Sequence, residues 1–520
     1  MKLLSKLKPI HLIIITAFLN AITWSVTIPI WQYPDEQAHF AQVQNYVEIG
    51  RDPDEYNDLS LEVYESERIL GTLRDNFGNN QFTYHPSYQI PYNQNFEGMS
   101  ESYLNSLPFV SRITYVKHES PRYPPLYYLI SSIGYRLTYH QSITSRIFAT
   151  RTISVFLFIL VIYFSYRLVL CLFPLQKSLI LSSTLAVAFH PMLTFVGSGV
   201  NNDILLILIS TILIYLLIKD LNKPLVLKDI LVISVVFFFG VITKQLIFPL
   251  VPAILIVLIY RYFTHPHKLQ FSLKLLWLCL LIIPILIFIK SNQGFWLPYW
   301  PTVDNFSLTS FLSLFTSRMD RLYRETLPWY WGVYKWLGVV LPLNLIRTIK
   351  VVMLLSGIGW LEYVYQKIRS RKILLLDKRL IFIILTNLVY FLILITWDIL
   401  LELNTGFGHG IQGRYFFPLI STQMAILVFG LYQLLPKFNQ PWLLVILTVL
   451  ILSLNLTAFY TIVSNYFSVS SLEVFVRQLS QYKPDLLKWP YWSVFFIIDL
   501  LGLVFITINI AKNRSKWLEK

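Results

Sequence analysis

The ionisable side chains that could do chemistry gather in a few short stretches. The first is Tyr33-Pro34-Asp35-Glu36-Gln37-Ala38-His39-Phe40, which sets two acids and a histidine directly after the first apolar run. Carboxylates and histidine are the groups that proton transfer most often uses. His39 stands four residues after Asp35, so one helical turn would bring the two together. Asn201-Asn202-Asp203 precedes another apolar run, and Lys244 follows a third. His409 lies in the glycine-rich turn Gly406 to Gly413, Arg414 comes just after it, and Arg122 precedes Pro124-Pro125. Lysine and arginine offer charge to an anion, arginine through a planar fork of donors. Each residue also has a plainer reading. Asp35 would cap a helix starting near Glu36, and Asp203, with Asn201 and Asn202, would cap its own helix. Lys244 would snorkel at a helix end. Arg414 would anchor the outer face, and His39 would bond to water or backbone.

Membrane helices must position these groups. The chain has 520 residues, 55% of them hydrophobic and 14% charged. A soluble protein would carry about 25% charged residues. Apolar runs near 20 residues recur along the length, which predicts an all-α polytopic membrane protein with about 12 transmembrane helices. The net charge of +15 lies in short basic clusters between apolar runs, a topology signal that excludes nucleic-acid binding as the main function. Cys171 and Cys279 both fall at apolar segments, so no disulfide framework or metal finger is implied. The basic start (Lys2, Lys6, Lys8) leads into an apolar run with no small-x-small cleavage site, which predicts an uncleaved first helix.

Charge sets the orientation. Residues 31–146 carry 14 acidic against 8 basic side chains, a net of −6 that leaves +21 on the rest of the chain. An acidic long loop and basic short loops place 31–146 outside and both termini in the cytoplasm of a multi-pass plasma-membrane protein. The organisation read this way starts with a first transmembrane helix at 1–30. A large extracytoplasmic loop with interfacial helices follows at 31–146, then transmembrane helices 2–7 at 147–290. An outer aromatic-rich segment occupies 291–340, and helices 8–12 with a cytoplasmic tail occupy 341–520. The segment from Arg122 to Leu137 is apolar but short and interrupted by Pro124, Pro125 and Gly134, which favours an interfacial helix over a spanning one. The aromatics from Trp296 to Trp336 are read as an interfacial belt ahead of a sugar site. In this topology Asp35, Glu36, His39, Arg122, Asn202, Asp203, Lys244, His409 and Arg414 share one face. Ionisable groups near membrane depth are costly and mark function.

The motifs, in this order, resemble the GT-C superfamily of membrane glycosyltransferases, which includes protein O-mannosyltransferases and aminoarabinose transferases. Acidic residues open the first outer loop at Asp35-Glu36, and a basic residue precedes Pro-Pro-Leu-Tyr-Tyr at Arg122 to Tyr128. A second Asp stands at Asp203, with Thr243-Lys244 further on. Pro-Asp-Glu-x-x-His with the later Gln412-Gly413-Arg414-Tyr415-Phe416 is most similar to a large bacterial branch. The resemblance implies a polyprenyl-phosphate-linked sugar donor, membrane lipid around it, and a hydroxyl acceptor on a glycan, lipid or protein, with inversion at the sugar. It also implies roles. Asp35, with Glu36 as the alternative, would take the proton from the attacking hydroxyl. Asp203 with Asn202 would orient the acceptor, hold a basic partner or bind a metal. Lys244, Arg414 and Arg122 would stabilise the departing phosphate. His39 and His409 would line the substrate site. A divalent cation, Mg or Mn, serves some members of the superfamily and not others, and Asp35, Glu36 and Asp203 alone do not decide between them. The main rival is a transporter or flippase of lipid-linked glycans. It would place ionisable groups near mid-membrane and carry inverted repeats, where this chain shows one-sided charges and no repeat. A related polysaccharide ligase would share the chemistry with a different acceptor, and a non-catalytic scaffold would leave the shared-face charges unexplained.

Overall fold

A computed structural model describes residues 8–51, 57–92, 99–119, 123–264, 307–371, 374–436, 440 and 442–512. Among these residues the chain is mostly helical, as its composition predicts. Seven helices are long and apolar enough to cross a membrane, from Pro9–Thr27 near the start to Asp485–Lys512 near the end. The number rises to eight when the bent pair Lys177–Ala188 and Pro191–Ser198 is one span.

The difference from about 12 has local causes. The expected third helix breaks by 53° into α7 (Lys177–Ala188) and α8 (Pro191–Ser198). Pro191 has no amide hydrogen and starts α8, while the His190 side chain accepts from the Leu193 amide at 3.4 Å. The fourth, α9 (Asp203–Lys219), has 17 residues, roughly 26 Å of helix against a hydrocarbon core of about 30 Å. The fifth is α10 (Leu227–Val241), and the sixth begins as a 3₁₀ turn at Gln245–Leu250 that leads into α11 (Val251–Thr264). The expected seventh helix, Leu275 to Ile289, lies outside the described residues. The expected eighth is the helix Leu343–Ser370, with Arg347 and Lys350 inside its first turns.

The long polar insertion folds onto one end of this bundle. The first helix, α1 (Pro9–Thr27), leads through a turn into α2 (Glu36–Glu48). Strand β1 (Leu59–Ser60), directly before α3 (Leu61–Leu70), pairs antiparallel with β2 (Tyr115–Lys117), tying two distant parts of the insertion together. The Pro-Pro segment forms α5 (Leu126–Leu137), numbered after the short α4 (Met99–Ser106). Its 12 residues are too short to span, and its faces differ. Leu129, Ile133 and Leu137 point outward, while Tyr127, Tyr128 and Tyr135 pack inward against α2 and α6 (Ile143–Leu172). Gly134 allows this approach, because a Cβ there would collide with the Ala149 carbonyl.

The aromatic segment departs from the expected belt. Trp329 and Trp331 are buried in the protein, and Trp336 caps a hairpin, β3 (Val333–Tyr334) with β4 (Val339–Val340). Lys335 at its tip donates to the carbonyls of Pro86 and Asn465 at 2.8 and 2.9 Å, strapping the insertion to the bundle. Trp296, Tyr299 and Trp300 lie outside the described residues.

Candidate active site

Asp35 sits at the turn between α1 and α2. It has a left-handed backbone, φ 54°, which Asp tolerates better than most residues and which clusters at functional sites. It occupies the position before α2, yet its side chain makes no capping bond. Both oxygens meet arginines instead: Arg74 Nη1 donates to Oδ1 at 3.0 Å and Arg414 Nη2 donates to Oδ2 at 3.0 Å. The Asp35 side chain keeps 30% of its surface open. Burial alone would raise its carboxyl; Arg414 and Arg74 outweigh burial and hold it well below the usual carboxylate range.

Glu36 points the other way. It is fully buried and clasped by Arg151, whose Nε and Nη2 donate at 2.7 and 2.6 Å. The amides of Trp31 and Val200 donate to the same carboxylate at 3.0 and 3.1 Å. Arg151 also donates to the carbonyls of Ser25, Ile28 and Pro29. Both Glu36 oxygens are thus spent on fixing the turn that presents Asp35.

Opposite Asp35 stands the start of α9. Lys244 Nζ donates to Asp203 Oδ1 at 2.5 Å and to Asn202 Oδ1 at 3.1 Å, and lies 5.5 Å from the Tyr123 ring. Arg414 Nη1 is 3.8 Å from Asp203 Oδ2. Arg414 therefore lies between the two aspartates, 7% exposed, and among the described residues its Nε and Nη1 have no hydrogen-bond partner. Asp203 does not cap α9 with its side chain; its own amide donates to Asn201 Oδ1 at 2.8 Å.

The remaining candidates divide. His39 does not bond to the Asp35 side chain; its Nδ1 shares a hydrogen bond with the Tyr128 hydroxyl at 2.8 Å, and its ring packs against Tyr123 and Tyr128. Burial, reinforced by Lys244, pushes His39 down to about 3, so it is neutral at physiological pH. The same Tyr128 hydroxyl accepts from Asn202 Nδ2 at 3.3 Å, joining α2, α5 and α9 through one oxygen. His409 lies between Trp397 and Tyr415, the neighbour of Arg414, at ring distances of 5.8 and 6.4 Å. Arg122 lies outside the described residues. Among the described residues no group of three His, Cys, Asp or Glu side chains could hold a metal ion. Asp35 and Asp203 face Arg414 and Lys244, so in this arrangement they do not form a cation site.

Residues 18–422 match the model of a family described as "Predicted membrane protein (DUF2142)". The chain belongs to this family. The matched span includes Asp35, Asp203, Lys244 and Arg414. Among curated proteins the chain has no sequence match. Among solved structures it is similar to ArnT from Cupriavidus metallidurans bound to undecaprenyl phosphate, at 9% identity and a TM-score of 0.43, over 96% of this chain and 76% of that one. It is also similar to the Archaeoglobus fulgidus oligosaccharyltransferase in complex with Zn and sulfate, at 11% identity and a TM-score of 0.44. That likeness spans 87% of this chain and 53% of the larger protein.

In this DUF2142 member two parts of the site carry no motif. Arg74 follows Gly71-Thr72-Leu73 with nothing to set it apart from Arg68, which pairs with Glu65 on the exposed face of α3. Arg151 lies inside an apolar helix, and an arginine there is itself the signal that a buried acid awaits it.

Proposed function

We propose that this chain is a membrane glycosyltransferase that moves a sugar from a polyprenyl-phosphate donor to a hydroxyl acceptor on the outer face of the membrane. The observation that carries the reading is one guanidinium, Arg414, set between a part-open carboxylate and a second aspartate, with two buried nitrogens, Nε and Nη1, that make no hydrogen bond among the described residues. Unpaired buried donors are costly, and a phosphate would satisfy them with charge-assisted bonds.

The reaction balances on these groups. Asp35 takes the proton of the acceptor hydroxyl while its oxygen attacks the anomeric carbon. The bond from that carbon to the phosphate oxygen breaks, and its electron pair leaves with the phosphate. Arg414 meets that growing charge, with Lys244 next to it on Asp203. Attack opposite the leaving group inverts the centre. Glu36 is the weaker candidate for the base, because its oxygens are sequestered by Arg151 and two amides.

Asp35→Asn is expected to leave the protein folded in the membrane and to lower sugar transfer from a polyprenyl-phosphate donor at least about 100-fold, the scale of a lost general base. Transfer at the wild-type rate would refute the assignment. Mass spectrometry of cell-envelope glycans with and without the gene would identify the sugar and the acceptor.

A further inference from the structure

Resting on that reading, we propose that Asp35 and the donor phosphate compete for Arg414, and that Arg74 is the positioning residue that holds Asp35 when Arg414 turns to the phosphate. The two arginines on Asp35 are held differently. Arg74 is anchored by groups outside the pocket: its Nε bonds to the Glu119 carboxylate, its Nη2 donates to the Glu119 carbonyl at 3.0 Å, and its guanidinium lies 5.9 Å from the Trp336 ring. Trp336 is pinned in turn, with Nε1 on the Trp31 carbonyl at 3.0 Å. Arg414 is held more loosely: apart from Asp35, its ion-pair partner is Asp203, with Nη1 3.8 Å from Oδ2. Its side-chain hydrogen bond to Asp35 is at Nη2, while Nε and Nη1 make none among the described residues.

A phosphate arriving at Nε and Nη1 would draw the guanidinium charge toward itself. The Asp35 carboxylate opposes this, as a second anion beside the same cation. It is also a poor base while both arginines are on it, since each favours its ionised form. Transfer of Arg414 from carboxylate to phosphate raises the basicity of Asp35 only once a donor is bound. Arg74 stays on Oδ1 and keeps the carboxylate aimed. The order of events is therefore donor first, proton abstraction second.

Equilibrium binding of undecaprenyl phosphate to the full chain in lipid nanodiscs tests this. Arg414→Gln is expected to weaken binding. Asp35→Asn is expected to tighten it about tenfold, the scale of one competing charge-assisted hydrogen bond. Arg74→Gln is expected to weaken binding several-fold, because Asp35 then leans on Arg414 alone, and that loss is expected to vanish in the Asp35→Asn background. A gain of affinity is not a result that misfolding produces. Binding by Asp35→Asn equal to or weaker than wild type overturns the competition while the glycosyltransferase reading stands. A loss in Arg74→Gln that persists in the Asp35→Asn background overturns the role of Arg74. Wild-type binding by Arg414→Gln overturns the phosphate site and the reading beneath it. The same rank order with inorganic phosphate places the competition at the headgroup; a rank order seen with the lipid alone overturns it.

Discussion

The pair Glu36–Arg151 allows a sharp separation between a residue that reacts and one that supports. Glu36→Gln changes one oxygen to an amide of nearly the same size. The carboxylate now accepts four hydrogen bonds, two from Arg151 and one each from the amides of Trp31 and Val200. After the change one half of the side chain would present a donor to two of these donors. Arg151, fully buried, would keep only carbonyl partners for its charge. Breaking a buried ion pair by removing one partner costs about 3–5 kcal/mol. Against a typical total of about 5–15 kcal/mol, that is a large fraction. The expected result is a clear fall in unfolding temperature in nanodiscs, read by intrinsic tryptophan fluorescence. Sugar transfer would fall with the fraction folded. The double variant Glu36→Gln/Arg151→Met removes both charges and is expected to recover part of the loss. A Glu36→Gln protein as stable as wild type but inactive would refute the argument, since Glu36 would then be doing the chemistry assigned to Asp35.

Three further outcomes follow from the geometry. Glu67 is fully buried, and among the described residues neither carboxylate oxygen is hydrogen-bonded; burial, with Glu119 nearby, pushes its carboxyl well above the usual range. An acid raised in the folded state costs stability as pH rises above its unfolded value of about 4.3, so Glu67→Gln is expected to stabilise the protein at neutral pH and to flatten the pH dependence of melting. His39 is lowered to about 3, so the unfolded chain binds a proton below about pH 6.5 that the folded chain does not. Stability is expected to fall as pH drops from there toward 3, and His39→Gln should reduce that slope; an unchanged slope would count against a neutral His39. Gly134→Val would press a side chain into the Ala149 carbonyl and is expected to cost about 1–3 kcal/mol, seen as a lower melting temperature than Ser132→Ala.

What the sequence made legible is the part that repeats a local rule. Apolar length located most of the helices, and the shortness of the run to Leu137, with Pro124, Pro125 and Gly134 in it, set that segment apart from the spanning ones. The acids, Asp203, Lys244 and Arg414 were found because a charge at a helix end stands out in an apolar chain. Three features lay beyond local rules. The aromatic run from Trp329 to Trp336 has the composition of a belt, but tertiary packing turned its tryptophans inward and used Trp336 under Arg74. Arg74 sits in a polar loop where any charge is unremarked. Asp35 and Glu36 are adjacent acids with the same composition around them, and only the direction of each side chain distinguishes the open carboxylate from the buried one. The break at Pro191 also mattered, because hydropathy averages across a kink that the backbone cannot.

The ion pairs at this corner also set an order of assembly. Glu36 waits 115 residues for Arg151, and Asp35 waits 379 for Arg414. At about 5–20 residues per second of synthesis, those intervals are about 6–23 s and 19–76 s. During the first, a carboxylate destined for the interior stays in water. During the second, the turn is already locked by Arg151 but the carboxylate faces only Arg74. A nascent chain shorter than 414 residues thus holds the acid of the site without the guanidinium between the two aspartates. Arg414 is thus the last of these groups to arrive, after Asp35, Arg74, Arg151, Asp203 and Lys244.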